Sequence, residues 1–283
     1  MKNSNLLLIE RIVREMQLRN YSERTIGSYT SMMSKLGKYF DLPLEKITRE
    51  QFKDFLHHRI MVDKVSVSVV NQAISAFKIM QQDVLGREWE PLKVKRPRRE
   101  MKLPVILSVG EVERLIMVTT NLKHRALLAL AYSAGLRREE TQKIKPGHID
   151  SERMCVQVVD GKGKKSRHTI LAQKTLDLLR VYFKAVKPSQ FLFETSLEKG
   201  KYLSDTTLNK IVKNNAKKAG IKKNVSFHTL RHCFATHLLE NGVSLPIIQQ
   251  LLGHKSVKTT MIYLHVANIQ PLDITSPLDS MDI

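Results

Sequence analysis

The sequence predicts a mainly α-helical protein of two domains, the second carrying a small antiparallel β-sheet. Three observations lead there. Apolar residues recur every three or four positions through most of the chain, the period of an α-helix. Only two β-rich runs stand out, 154–159 and 168–171, and a glycine- and lysine-bearing tip joins them as a hairpin. A proline-containing basic stretch interrupts the helical pattern near the first third, and 283 residues suffice for two domains.

The first domain is expected over 1–86. Residues 4–18 form an amphipathic helix with Leu6, Ile9, Ile12, Val13 and Met16 on one side. Ser22 is a good N-cap for 23–40, where Ile26, Tyr29, Met32, Met33, Leu36 and Phe40 keep helical spacing. Thr48 and Gln51 form a capping box for a third helix, to about residue 60. A fourth spans about 66–84, with Val69, Val70, Ala73, Ile74, Phe77 and Met80 inward. Short loops join the four, so they make one compact helical domain whose Met and aromatic stripes are core.

Residues 87–107 read as the interdomain linker. Pro91, Pro97 and Pro104 remove backbone donors and disfavour helix before them, so the stretch is extended. Lys93, Lys95, Arg96, Arg98 and Arg99 lie along it. Cations spaced on an extended strap can neutralise successive phosphates of DNA and release counterions.

The second domain is expected over 108–268, followed by a tail at 269–283. Ser108 and Glu111 make its opening capping box. Residues 122–134 are nearly all apolar, so this helix is central; it ends at Gly135. The hairpin follows, its tip holding Lys162, Lys164 and Lys165. Helices at 173–186 and 205–219 flank a short strand candidate at 191–193. Phe227, Leu230, Phe234 and Leu238 then form a helical stripe, with His228 and Arg231 together on one adjoining face. Gly242 marks the end of that helix. Ser244 caps a short helix that Gly253 terminates, which delivers His254; Ser256 opens a third that brings in Tyr263.

The charge balance narrows the partner. Forty-seven Lys and Arg against 27 Asp and Glu leave a net +20, which points to a polyanion and first of all to nucleic acid. No apolar run approaches the length of a membrane span, and no signal-peptide pattern opens the chain. Cys155 and Cys233 are too few for a zinc framework or an expected disulfide, and both read as buried, inert thiols. The expectation is a cytoplasmic protein that meets DNA or RNA.

Arg137, Glu140, Lys162, His228, Arg231, His254 and Tyr263 all fall at element ends or on the exposed face of the second half. Phosphoryl transfer without metal suits such a set. Negative charge gathers on the equatorial oxygens of a phosphodiester under attack, and preorganised cations can hold it. Two guanidinium forks can grip non-bridging oxygens, a phenol can form a phosphoester, and a lysine can protonate the departing sugar oxygen. His228, His232, His237, His254 and His265 lack the Cys, Asp or Glu that would complete a metal site.

The segments that carry these residues resemble the tyrosine recombinases of the phage-integrase family, most of all the Xer type. They are AYSAGLRREE at 131–140, GKGKKSR at 161–167, FHTLRHCFATHLLENG at 227–242 and IIQQLLGHKSVKTTMIYLHV at 247–266. The resemblance implies a SAM-like, four-helix core-binding domain ahead of a catalytic domain. It also implies Arg137 and Arg231 on the scissile phosphate, Lys162 as general acid, His228 as acid/base partner and His254 on a non-bridging oxygen. Tyr263 is then the nucleophile that leaves a 3′-phosphotyrosyl link, with Glu140 buttressing the site. No cofactor is implied. The implied partners are double-stranded DNA with paired inverted sites, a homo- or hetero-tetramer in the synapse and, in some systems, accessory factors; the implied place is the nucleoid. The run Arg138-Glu139-Glu140-Thr141 departs from the family pattern, which has small and apolar residues followed by Leu. Two competing readings are a DNA-binding protein of this fold that no longer cuts, and a type IB topoisomerase-like enzyme.

Overall fold

A computed structural model of the chain describes residues 2–89, 103–159, 166–198 and 200–268. The chain divides into two compact units, Met1–Met101 and Lys102–Ile283. The basic linker residues Lys93, Lys95, Arg96, Arg98 and Arg99, the hairpin-tip residues Lys162, Lys164 and Lys165, and the tail 269–283 lie outside the described residues.

The first unit contains α1 (Lys2–Leu18), α2 (Glu23–Phe40), α3 (Arg49–Met61) and α4 (Val67–Lys78). Local chemistry sets the starts. Ser22 Oγ accepts the Thr25 N–H at 3.1 Å. Thr48 and Gln51 exchange hydrogen bonds, the Gln51 N–H to Thr48 Oγ1 at 3.2 Å and the Thr48 N–H to Gln51 Oε1 at 2.9 Å. Ile12, Met16, Met33, Leu36, Phe52 and Phe77 are fully buried, and the rings of Phe52 and Phe77 stack 4.0 Å apart. The Met and aromatic stripes are therefore core. One difference concerns the fourth helix: after Lys78 it widens into π-helical turns at Ile79–Val84, and the Leu85 N–H reaches the Met80 carbonyl at 3.0 Å.

The second unit contains α5 (Val109–Met117), α6 (Leu122–Ser133), α7 (Arg138–Lys143), β1 (Ile149–Asp150), β2 (Cys155–Val158), β3 (Arg167–Ile170), α8 (Gln173–Val186), α9 (Asp205–Lys218), α10 (Phe227–Glu240), α11 (Leu245–Leu252) and α12 (Val257–Thr260). A 3₁₀ turn, Met261–His265, continues α12 and holds Tyr263. The Ser108–Glu111 capping box forms as expected. Ala126 to Ala131 are all buried, so α6 is the central helix. The three strands pair antiparallel in the order β1-β2-β3. Val156 and Val158 face inward and join the core with Leu171, Leu179, Tyr182, Leu230 and others.

Two expectations are corrected, and one element is added. Residues 191–193 are not a strand. Oε1 of Glu194 accepts the N–H groups of Ser189, Gln190 and Phe191 at 2.6–3.1 Å, and this winds the segment into a turn. Cys155 is only partly buried, whereas Cys233 is buried and accepts the Leu107 N–H at 3.1 Å. The added element is α7, a six-residue helix that the hydrophobic period does not reveal. Within it Thr141 is fully buried; its hydroxyl donates to the Arg137 carbonyl at 3.1 Å, so the polar group is satisfied.

Gly135 closes the turn after α6. Its φ is +59°, and a Cβ there would fall 2.3 Å from Cδ1 of Phe234. Only glycine tolerates both the conformation and the approach. This turn aims the Gly135 carbonyl at α10, where the site begins.

Candidate active site

Helix α10 is buried on most of its surface, and it carries a guanidinium inside the fold. Arg231 is 1% exposed. Its Nη1 donates to the Gly135 carbonyl at 2.7 Å and its Nη2 to the Leu252 carbonyl at 2.6 Å. Arg137, the N-cap of α7, reaches the same place from the other side. Its Nη1 donates to Glu140 Oε1 at 2.7 Å and its Nη2 to the Gly253 carbonyl at 3.0 Å. Nη1 of Arg231 lies 3.8 Å from Glu140 Oε2. The two arginines thus converge on one carboxylate and on the C-terminal end of α11.

Glu140 has a third partner, Arg167 at the start of β3. Both terminal nitrogens of Arg167 grip the carboxylate, at 2.7 and 2.8 Å, and its Nε donates to the Leu251 carbonyl at 2.8 Å. Burial alone would raise the Glu140 pKa. The hydrogen bonds and charge of Arg167, with those of Arg137, outweigh it and hold the group at about 2. Burial, then the neighbouring charge of Arg137, pulls Arg231 down to about 9, so it remains a cation at neutral pH.

A cleft of about 840 Å³ opens beside this cluster, lined by Arg137, Arg138, His228, His254, Lys255 and Thr259 among others. His254 follows directly on Gly253, whose φ of +63° turns the chain out of α11. Nδ1 of His254 pairs with the Thr260 hydroxyl at 2.9 Å. Burial and then Arg231 bring His254 to about 4, and the same two causes lower His228. Both imidazoles are therefore neutral at pH 7 and can exchange protons with a substrate.

Tyr263, like Arg231, is closed off from solvent. It is 2% exposed, packed with Phe234, Leu239, Ile248 and Leu252. Its hydroxyl shares a hydrogen bond of 3.2 Å with Nδ1 of His232. Burial raises the phenol pKa, against the pull of Arg231 and Arg137. His232, brought to about 4 by burial and then by His228, is neutral. Arg137, Glu140, His228 and His254 line the cleft, Arg231 lies 3.8 Å from Glu140, and Tyr263 is buried in the neighbouring apolar cluster. Lys162 falls outside the described residues.

Sequence reasoning missed Arg167 and His232 as members of this cluster. Arg167 sits in the matching segment at 161–167, but nothing local marks its partner 27 positions earlier. His232 lies one turn after His228 on α10, so the two share a helix face and their rings meet edge-on at 4.5 Å. That four-residue spacing was the signal in the sequence.

Cationic forks around a shielded carboxylate, two neutral imidazoles and a nearby phenol describe an enzyme of phosphodiester transfer. Residues 106–269 match the phage integrase family, and residues 8–91 match the phage integrase N-terminal SAM-like domain. The chain belongs to this family and is a tyrosine recombinase, an enzyme of site-specific DNA recombination through a tyrosine intermediate. It is 35% identical over 266 residues to tyrosine recombinase XerA of Pyrococcus horikoshii, covering 93% of this chain and 90% of the relative. It is 32% identical over 289 residues to tyrosine recombinase XerD of Staphylococcus saprophyticus, covering 93% and 95%. In fold it resembles the XerH site-specific recombinase bound to its palindromic difH substrate, with a TM-score of 0.72 at 23% identity over 88% of this chain and 78% of that one. Among the described residues, no helix is long and apolar enough to cross a membrane.

Proposed function

We propose that Arg137 and Arg231 hold the scissile phosphate, with His254 donating to a non-bridging oxygen from Nε2 while Nδ1 is engaged by Thr260. Tyr263 attacks phosphorus. The P–O5′ bond breaks, Lys162 gives its proton to the departing 5′ oxygen, and the phenol proton passes to His228. The product is a 3′-phosphotyrosyl link and a free 5′ hydroxyl. A 5′ hydroxyl from the partner strand reverses the step, so bond energy is conserved without ATP or metal. Glu140 orients both arginines and disperses their mutual repulsion.

The observation that carries this reading is the convergence of Arg137 and Arg231 on Glu140 and on consecutive carbonyls, Leu252 and Gly253, beside the cleft that His228 and His254 line. Because Tyr263 is buried against His232, binding DNA must release the phenol before attack. In the same reading residues 1–86 bind the duplex as the core-binding domain. The linker cations Lys93, Lys95, Arg96, Arg98 and Arg99, with Lys164 and Lys165 of the hairpin, neutralise backbone phosphates. Four copies assemble on two inverted sites, each tail from 269 onward docking on a neighbour.

The test uses duplexes selected by the wild-type protein from a randomised inverted-repeat library, then nicked at successive central positions to trap cleavage. Wild type is expected to form a covalent adduct that resists denaturation. Tyr263→Phe should bind the same duplex equally well and form none. An adduct that persists in that variant would refute the assignment of the nucleophile.

A further inference from the structure

Three guanidinium groups divide three consecutive carbonyls at the end of one short helix. Arg167 takes Leu251, Arg231 takes Leu252 and Arg137 takes Gly253. The last carbonyls of a helix lack intrahelical donors and carry the negative end of its dipole. Here they and Glu140 form the anionic centre on which the cations are assembled. Two of the three arginines belong to the proposed phosphate cradle. The third has no role in it, yet it makes the most hydrogen bonds here: it grips both oxygens of Glu140 and the Leu251 carbonyl.

We propose that Arg167 is a positioning residue that locks the start of β3 to the arginine cradle, so that Arg137, Arg231 and His254 share one frame. The proposal rests on the roles assigned above to those three residues. Arg167 opens β3, and its grip on Glu140 ties that strand to the carboxylate on which both arginines converge. Its Nε bond to Leu251 and its Cδ, 2.7 Å from where a Gly253 Cβ would lie, press it against the turn that delivers His254. One side chain therefore touches the parts that would supply both phosphate grips and the histidine donor.

The planar fork matters as much as the charge. A bidentate carboxylate pair needs two parallel N–H donors, and Nε is needed at the same time for Leu251. A lysine supplies the charge but cannot span both. Arg167→Lys should therefore fail where a purely electrostatic role would be rescued.

The experiment uses the full chain and the selected, nicked duplex. The rate of adduct formation is measured at saturating DNA, and affinity is measured separately in a Tyr263→Phe background. Each variant is assayed at a temperature where circular dichroism shows it folded. Arg167→Lys is expected to slow adduct formation at least about tenfold while affinity changes less than about threefold. Combined with Glu140→Gln, it should cost little beyond the slower single variant, since both act on one joint. Cleavage by Arg167→Lys within about twofold of wild type would overturn the proposal. So would a double variant whose losses multiply, or an Arg167→Lys chain that folds at no temperature, which would make the residue one of folding alone. A wild-type protein that forms no adduct is a separate result: it refutes the Tyr263 reading, and the Arg167 proposal with it.

Discussion

Replacing Gly135 by alanine tests whether Arg231 is seated by a backbone turn. The residue has φ +59°, where an L side chain costs roughly 1–2 kcal/mol. The new methyl would also lie 2.3 and 2.6 Å from Cδ1 and Cε1 of Phe234, which is 5% exposed and has little room to withdraw. Forcing a methyl into such a space costs roughly 1–3 kcal/mol. Together the expected loss is about 2–5 kcal/mol, read as a fall in the urea midpoint of the catalytic unit. The turn also presents the carbonyl that Arg231 Nη1 grips at 2.7 Å, so adduct formation should slow even where the variant is fully folded. Gly147→Ala is the control: nothing lies within 4 Å of its Cβ position, and its effect should stay within about 0.5 kcal/mol. A Gly135→Ala loss below about 1 kcal/mol, with normal cleavage, would refute the link between this turn and Arg231.

Other outcomes follow from the same geometry. Thr260→Val removes the hydroxyl that pairs with His254 in a fully buried position; adduct formation should fall by roughly tenfold, less than the ~10²–10³ for loss of a direct donor because the imidazole itself remains, with DNA affinity unchanged. Stability should depend on pH through His232 and His254, both held at about 4 in the fold against 6.5 unfolded. Between those values the unfolded chain binds more protons, so the melting temperature should fall as pH drops from about 6.5 towards 4. His232→Asn should flatten part of that slope, and a melting temperature constant over that range would contradict the buried, neutral assignment. Glu140 acts lower down: held at about 2 against 4.5, it stabilises the fold above about 4.5 and that contribution disappears towards pH 2. Affinity for the selected duplex should drop steeply with salt, because most contacts of so basic a chain are to phosphate; a flat response in a titration from 50 to 300 mM would count against the strap.

Much of this was legible in the chain because it is written locally. Ser22, Thr48 with Gln51, and Ser108 with Glu111 mark helix starts within four residues of the groups they cap. The order of Arg137, His228, Arg231, His254 and Tyr263 also survives as spacing. What escaped was non-local. The grip of Arg167 on Glu140 joins a strand to a helix with no shared period. The segment 191–193 looked apolar enough for a strand, but the Glu194 carboxylate draws its N–H groups inward. The burial of Tyr263 depends on how α10 and α11 pack around it, which no spacing reveals.

That burial has a consequence for the life of the enzyme between encounters. With Tyr263 as the nucleophile proposed above, a phenol parked among leucines and tied to an uncharged imidazole would have no access to stray phosphodiesters. On that proposal the capacity to break a strand would exist only while some outside surface coaxes the ring from its berth.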